Sequence, residues 1–181
     1  MPRSDALSEP ARQQAQSIAL LFVCLGNICR SPTAEGVMRE LVRREGLQDR
    51  ITMESAGTGG WHVGDPPDAR ATATARARGI ALEGAARQVR AQDFEDFTLI
   101  LAMDRGNLRD LQHLAPDEEA AARVRLLREF DPASRDDAES SGDLDVPDPY
   151  YGGPGGFEEV LDLVQAACVG LLAQIRRGQS S

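Results

Sequence analysis

Apolar and polar positions divide the chain into alternating strand-like and helix-like units. "SIALLFVC" (17–24) is a continuous apolar run of strand length, and the polar, glycine-containing "LGNICRS" ends it. A run without polar alternation is expected of a strand buried on both faces. "SPTAEGVMRELVRREG" (31–46) then places Val37, Met38, Leu41 and Val42 on one helical face. Ser31 is the expected N-cap of that helix and Pro32 its first residue. "ITMESAGT" (51–58) reads as a second short strand, and the glycines and prolines of "GTGGWHVGDPPD" exclude regular structure after it. A small helix is expected over "ARATATARARG" (69–79) and a third buried strand over "DFTLILAM" (96–103). "DRGNLRDLQHLA" (104–115) reads as a helix with Leu108, Leu111 and Leu114 at helical spacing, and "ARVRLLREF" (122–130) as a weaker fourth strand. The acidic stretch from Asp131 to Pro154 reads as a long loop, and the last helix carries an apolar stripe from Phe157 to Ile175 that includes Cys168. Strands alternating with helices predict an α/β fold, a parallel sheet covered on both faces in three α-β-α layers.

Composition narrows this picture. With 181 residues, 41% of them hydrophobic, the chain suits one globular domain, expected over 18–178. A formal net charge of -9 works against attraction to nucleic acid or to an anionic membrane surface. No apolar run approaches the roughly 20 residues needed to span a bilayer, so no membrane insertion is expected. Residues 1–17 carry proline and charge where a secretory signal needs an apolar stretch, and they read as a disordered polar tail on a cytoplasmic protein. Three cysteines do not make a disulfide framework, and Cys168, inside an apolar stripe, reads as a core residue.

The chemistry is concentrated in "VCLGNICRSPTAE", where Cys24 is followed after five residues by Arg30 and Ser31. Zinc would need about four ligands, and neither Cys168 nor the isolated His62 and His113 complete a set with Cys24 and Cys29, so no metal is expected. A nucleophile fits better. In an open parallel sheet, ligands bind beyond the C-terminal ends of the strands, and a loop entering a helix there turns backbone N–H groups inward. Leu25, Gly26, Asn27, Ile28 and Cys29 would cradle a phosphate dianion, with Gly26 and Asn27 tolerating the required backbone angles. The same field favours a thiolate at Cys24, Arg30 can grip two phosphate oxygens in its planar fork, and Ser31 can donate to the sulfur. The nucleotide-binding pattern GxxxxGK[ST] is absent, so no nucleotide cofactor is implied.

Attack on a phosphate ester expels an oxygen that needs a proton. Of two Asp-Pro pairs in the acidic loop, Asp148 is the better acid, because Tyr150 and Tyr151 beside it can wall a cleft for an aromatic leaving group, whereas Asp131 more simply ends a strand. Trp61, in the loop after the second strand, is a third candidate wall, although a single loop Trp is more often a packing lid. "DAESSGDLD" (137–145) reads as a solvated excursion.

Together "VCLGNICRSPTAE", "SAGT" followed by "GDPPD", "AMDRGNL" and "PDPYYG" resemble the low molecular weight protein tyrosine phosphatases, in order and over nearly the whole chain from Ile18. The resemblance implies a four-stranded parallel sheet with the phosphate loop after the first strand, no metal or organic cofactor, and tyrosine-phosphorylated proteins as substrates. It assigns Cys24 as a nucleophile forming a phosphocysteine, Arg30 as phosphate ligand, Ser31 as partner of the sulfur, and Asp148 as general acid and then base. Asn27 and Ser55 match positions that hold the loop in shape, and Asp104 matches an aspartate near the site. It further implies that Cys29 can form a disulfide with Cys24 under oxidation. Arsenate reductases of the same fold are disfavoured by the lack of cysteines between Ala56 and Ala167, and phosphoarginine phosphatases by Ile28 where they carry threonine. A non-catalytic phosphopeptide binder would not need Cys24, Arg30 and Asp148 together.

Overall fold

The computed structural model describes residues 17–136, 143–150, 152–153 and 155–179. The tail expected over residues 1–17 lies outside the described residues but for Ser17, as do 137–142 and Tyr151. In chain order the elements are β1 (Ile18–Cys24), α1 (Arg30–Arg44), β2 (Ile51–Gly57), α2 (Ala69–Ala77), α3 (Asp93–Asp96) and β3 (Leu99–Ala102). There follow α4 (Arg105–Leu114), α5 (Glu118–Ala122), β4 (Val124–Leu126), a 3-10 turn (Leu127–Phe130), α6 (Pro132–Asp136) and α7 (Gly156–Gln179).

The four strands form one parallel sheet in the order β2-β1-β3-β4, so β1 is central and pairs along its whole length with β2 and over Leu20–Val23 with β3. Its continuous apolar character follows from helices on both sides. Leu20, Phe22 and Cys24 face a core built with α1 and α7, while Leu21 and Val23 face a second core that holds Phe94, Leu111, Ala120 and Val124. This is the three-layer arrangement expected of strands buried on both faces. In α7, Val160, Leu161, Val164, Cys168 and Leu171 are all buried in the first core. Among the described residues no helix is long and apolar enough to cross a membrane.

Several local expectations need correction. Ser31 does not cap α1: the helix begins at Arg30 after Cys29, with no side-chain cap, and the Ser31 hydroxyl is turned into the protein instead. The fourth strand is only three residues long, because the chain turns at Leu127 into the 3-10 turn that buries Leu127 and Phe130. The third strand is shorter than expected, being preceded by α3, whose Asp93 is held by Arg87. In α4, Leu114 is exposed and Asn107 is buried in its place on the inner face. Asp131 follows the 3-10 turn rather than a strand and opens α6 within the stretch read as a loop.

Candidate active site

Cys24 ends β1, and the polypeptide leaves the sheet there to enter α1. Among the described residues no acceptor takes the backbone N–H groups of Leu25, Gly26, Ile28 or Cys29, whereas the N–H of Asn27 reaches Cys24 Sγ at 3.3 Å. A loop with N–H groups left free at the start of a helix is an anion cradle. Asn27 makes this shape possible, since its φ of 58° is in the left-handed region, which asparagine tolerates better than most residues.

A directed chain of hydrogen bonds runs behind the loop. The Asn27 amide is oriented by Oδ1, which accepts from the Arg87 N–H at 3.0 Å. Its Nδ2 donates to Ser31 Oγ at 2.8 Å and to Ser55 Oγ at 3.0 Å. Ser55 Oγ donates onward to the Glu35 carboxylate at 2.8 Å. Ser31 Oγ, already accepting from Asn27, lies 3.0 Å from Cys24 Sγ, so its proton is available to the sulfur. The arrangement brings one hydroxyl donor to the sulfur, with the Ala56 carbonyl at 3.5 Å as its other acceptor, and uses Ser31 as no cap could.

Arg30 is 3% exposed and its Nη1 donates to Asp104 Oδ2 at 2.6 Å and to the Val146 carbonyl at 3.1 Å. Burial opposes its charge, but Cys24, Asp104 and Asp148 outweigh that effect and hold the guanidinium above its ordinary value. Asp104 also caps α4, accepting from the Asn107 N–H at 2.7 Å, so the helix fixes the carboxylate that fixes the arginine. Asp148 approaches from the other side: its Oδ2 stands 3.5 Å from Arg30 Nη2, and its Oδ1 accepts from the Tyr150 N–H at 3.0 Å. Cys29 is buried, and burial together with Asp68 pushes its thiol up to about 12.

Cys24, Leu25, Gly26, Ile28, Cys29, Arg30, Trp61, Asp148 and Tyr150 line a single cleft of about 300 Å³, with Asn27, Ser31 and Ser55 directly behind it. Trp61 is 75% exposed at the rim, its ring lying over Gly59, where a Cβ would stand 1.9 Å from the indole. Four contributors were missed. His62 lines the cleft, with Nδ1 3.1 Å from Asp65 Oδ2 and its ring centroid 6.3 Å from that of Tyr150. Arg70 stacks over Tyr150 at 5.5 Å and over Phe157 at 4.7 Å. Glu35 and Arg87 anchor Ser55 and Asn27 from outside the cleft. Only Glu35 left a signal, lying one helical turn after Ser31 inside the quoted motif. The described end of the acidic stretch is not a free excursion, because Asp145 Oδ1 accepts from the Arg105 N–H at 2.9 Å.

A family model described as low molecular weight phosphotyrosine protein phosphatase matches residues 19–181. A low molecular weight protein-tyrosine-phosphatase of Streptomyces coelicolor is 53% identical over 155 residues, which cover 86% of this chain and 92% of that protein. The crystal structure of YfkJ from Bacillus subtilis is similar at a TM-score of 0.79 and 43% identity, covering 90% of this chain and 96% of that one. That of a protein tyrosine phosphatase from Entamoeba histolytica with Hepes in the active site gives a TM-score of 0.82 at 36% identity, covering 90% and 99%. In sequence, in strand order and in the loop that follows β1, the chain belongs to the low molecular weight protein-tyrosine phosphatases, a class of hydrolases.

Proposed function

We propose that this chain hydrolyses phosphotyrosine in proteins through a phosphocysteine intermediate. The observation that carries the reading is the convergence of Cys24 Sγ, the buried Arg30 and Asp148 on one cleft whose floor is a loop of unpartnered N–H groups. The phosphate dianion takes those N–H groups and the Arg30 fork. Cys24 Sγ, as thiolate, attacks phosphorus: the S–P bond forms as the P–O ester bond breaks, and Asp148 gives its proton to the departing phenolate oxygen. Asp148, now a carboxylate, takes a proton from the water that attacks the phosphocysteine, and phosphate leaves as Ser31 donates to the returning thiolate. Cys29, held as a thiol, does not compete as nucleophile at neutral pH.

Ile28, 9% exposed on the cleft wall, and Tyr150 suit a phenyl ring, which supports phosphotyrosine over phosphoarginine. The Entamoeba relative holds Hepes, a tetrahedral sulfonate, in its active site, in keeping with an oxyanion cradle here. The test is hydrolysis of p-nitrophenyl phosphate across pH in the presence of chelator. Cys24→Ser is expected to abolish turnover, and Asp148→Asn to lower it about 100-fold or more with loss of the basic limb of the profile. Activity surviving Cys24→Ser would overturn the mechanism, and equal turnover of phosphoserine and phosphotyrosine peptides the substrate assignment.

A further inference from the structure

Asp148 is nearly half exposed, and its side chain alone does not hold it over the cleft; the backbone before it does. Residues 143–148 form a strap without regular structure that crosses the C-terminal edge of the sheet. Val146, fully buried, donates its N–H to the Met103 carbonyl at 2.7 Å, and its own carbonyl accepts from Arg30. Upstream of Val146 the strap is held by Arg128, whose Nη1 donates to the carbonyls of Asp143 at 2.5 Å and of Asp145 at 2.9 Å. The Asp143 and Asp145 carboxylates turn away from Arg128 toward the exposed side chain of Arg105, at 3.7 Å and 3.6 Å. These surface ion pairs hold little; the tighter second anchor is the Arg105 N–H, which donates to Asp145 Oδ1 at 2.9 Å, and Arg128 is the side chain that grips the strap's backbone carbonyls.

Arg128 is an unusual cation. Among the described residues it has no carboxylate partner, and its Nε is buried without an acceptor, a cost that a surface arginine would avoid by turning outward. Its base is rigid, because the 3-10 turn is nailed down by Leu127 and Phe130, 0% and 3% exposed. Between the anchor at Val146 and Asp148 lies only Pro147, whose ring fixes its own φ, so direction set at Asp145 and Val146 is carried to Asp148 with few free torsions.

We propose that Arg128 is a positioning residue for the acid-base step, fixing Asp148 over the leaving oxygen through the two strap carbonyls. This rests on the assignment of Asp148 as general acid. A group that acts through the acid matters in proportion to the leaving group's need for a proton, and a merely structural one affects all substrates alike.

The experiment is kcat/KM over a series of aryl phosphates from 2,4-dinitrophenyl to phenyl phosphate, for wild type, Arg128→Ala, Asp148→Asn and the double variant. Arg128→Ala is expected to lower kcat/KM for phenyl phosphate about tenfold and for the dinitrophenyl ester far less, steepening the leaving-group slope in the sense of Asp148→Asn. In the Asp148→Asn background the same change is expected to alter kcat/KM by less than about twofold, since the shared step is already lost. Arg128→Met, which keeps the buried stem, serves if the alanine variant does not fold. A loss equal for all leaving groups, or one that multiplies fully with Asp148→Asn, overturns the proposal. If Asp148→Asn itself leaves the slope unchanged, the acid assignment falls and this role with it. If only Asp148→Asn steepens the slope, the acid stands and the role of Arg128 falls.

Discussion

Asn27 concentrates three demands in one side chain: a left-handed backbone, a donor to Ser31 and Ser55, and an acceptor for the Arg87 N–H. The demands separate by substitution. Asn27→Gly keeps the backbone but strands the Arg87 N–H and leaves Ser31 free to rotate away from Cys24, so kcat/KM toward p-nitrophenyl phosphate is expected to fall about tenfold and the unfolding free energy by about 1–3 kcal/mol. Asn27→Ala adds the strain of a left-handed alanine and is expected to cost about 1–3 kcal/mol more in urea unfolding. Equal melting behaviour of the two variants would remove the backbone from the account. Asn27, Ser31 and Ser55 were readable because each belongs to a quoted motif. Arg87, His62 and Arg70 were not: what brings each to the site is a partner far along the chain, Asn27 for Arg87 at 60 residues and Tyr150 for His62 and Arg70, which no local pattern encodes.

At the scale of elements, α7 lies so close to the 3-10 turn that a Cβ at Gly170 would stand 1.8 Å from the Phe130 carbonyl oxygen, an atom of the backbone that cannot swing aside. Helix propensity alone favours alanine over glycine by about 1 kcal/mol. Overpacking works against it and is expected to win, with Gly170→Ala lowering the unfolding free energy by about 2–3 kcal/mol and the melting temperature by roughly 5–10 °C. Unchanged or raised melting would show that the helix shifts without penalty. The stripe of α7 was visible in the sequence, but this close approach was not, because it depends on where β4 stops. Val124, Leu126 and Leu127 are all apolar, and period alone did not separate a strand residue from the first residue of a turn. Ser31 carried two expectations, helix cap and donor to the sulfur seven residues earlier, and the closed loop puts the hydroxyl at the sulfur and leaves the helix without a side-chain cap.

For the molecule as a whole, alternation of strands and helices was enough to read a parallel sheet with two covered faces, since burial on both sides leaves the same apolar mark on every central strand. A global consequence follows from the thiols. Cys29 rises from 9.0 to about 12 because burial and Asp68 disfavour its anion, and burial raises Cys168 as well. The unfolded chain loses these protons first, so their contribution is complete below about pH 9 and drains away between about 9 and 12. The urea midpoint is expected to fall over that window, and Cys29→Ala to fall less steeply. Parallel slopes for both proteins would remove Cys29 from the alkaline limb.

The contact between Arg30 and the Val146 carbonyl joins residues 116 positions apart. A ribosome delivers the chain N-terminus first, at about 5–20 residues per second. Cys24 and the loop after it therefore leave the exit tunnel seconds before the strap that carries Asp148 and before α7, which closes the core beneath the loop. On the proposed mechanism a nascent chain thus presents Cys24 before the carboxyl that would protonate its leaving group, and turnover has to wait until the strap has emerged.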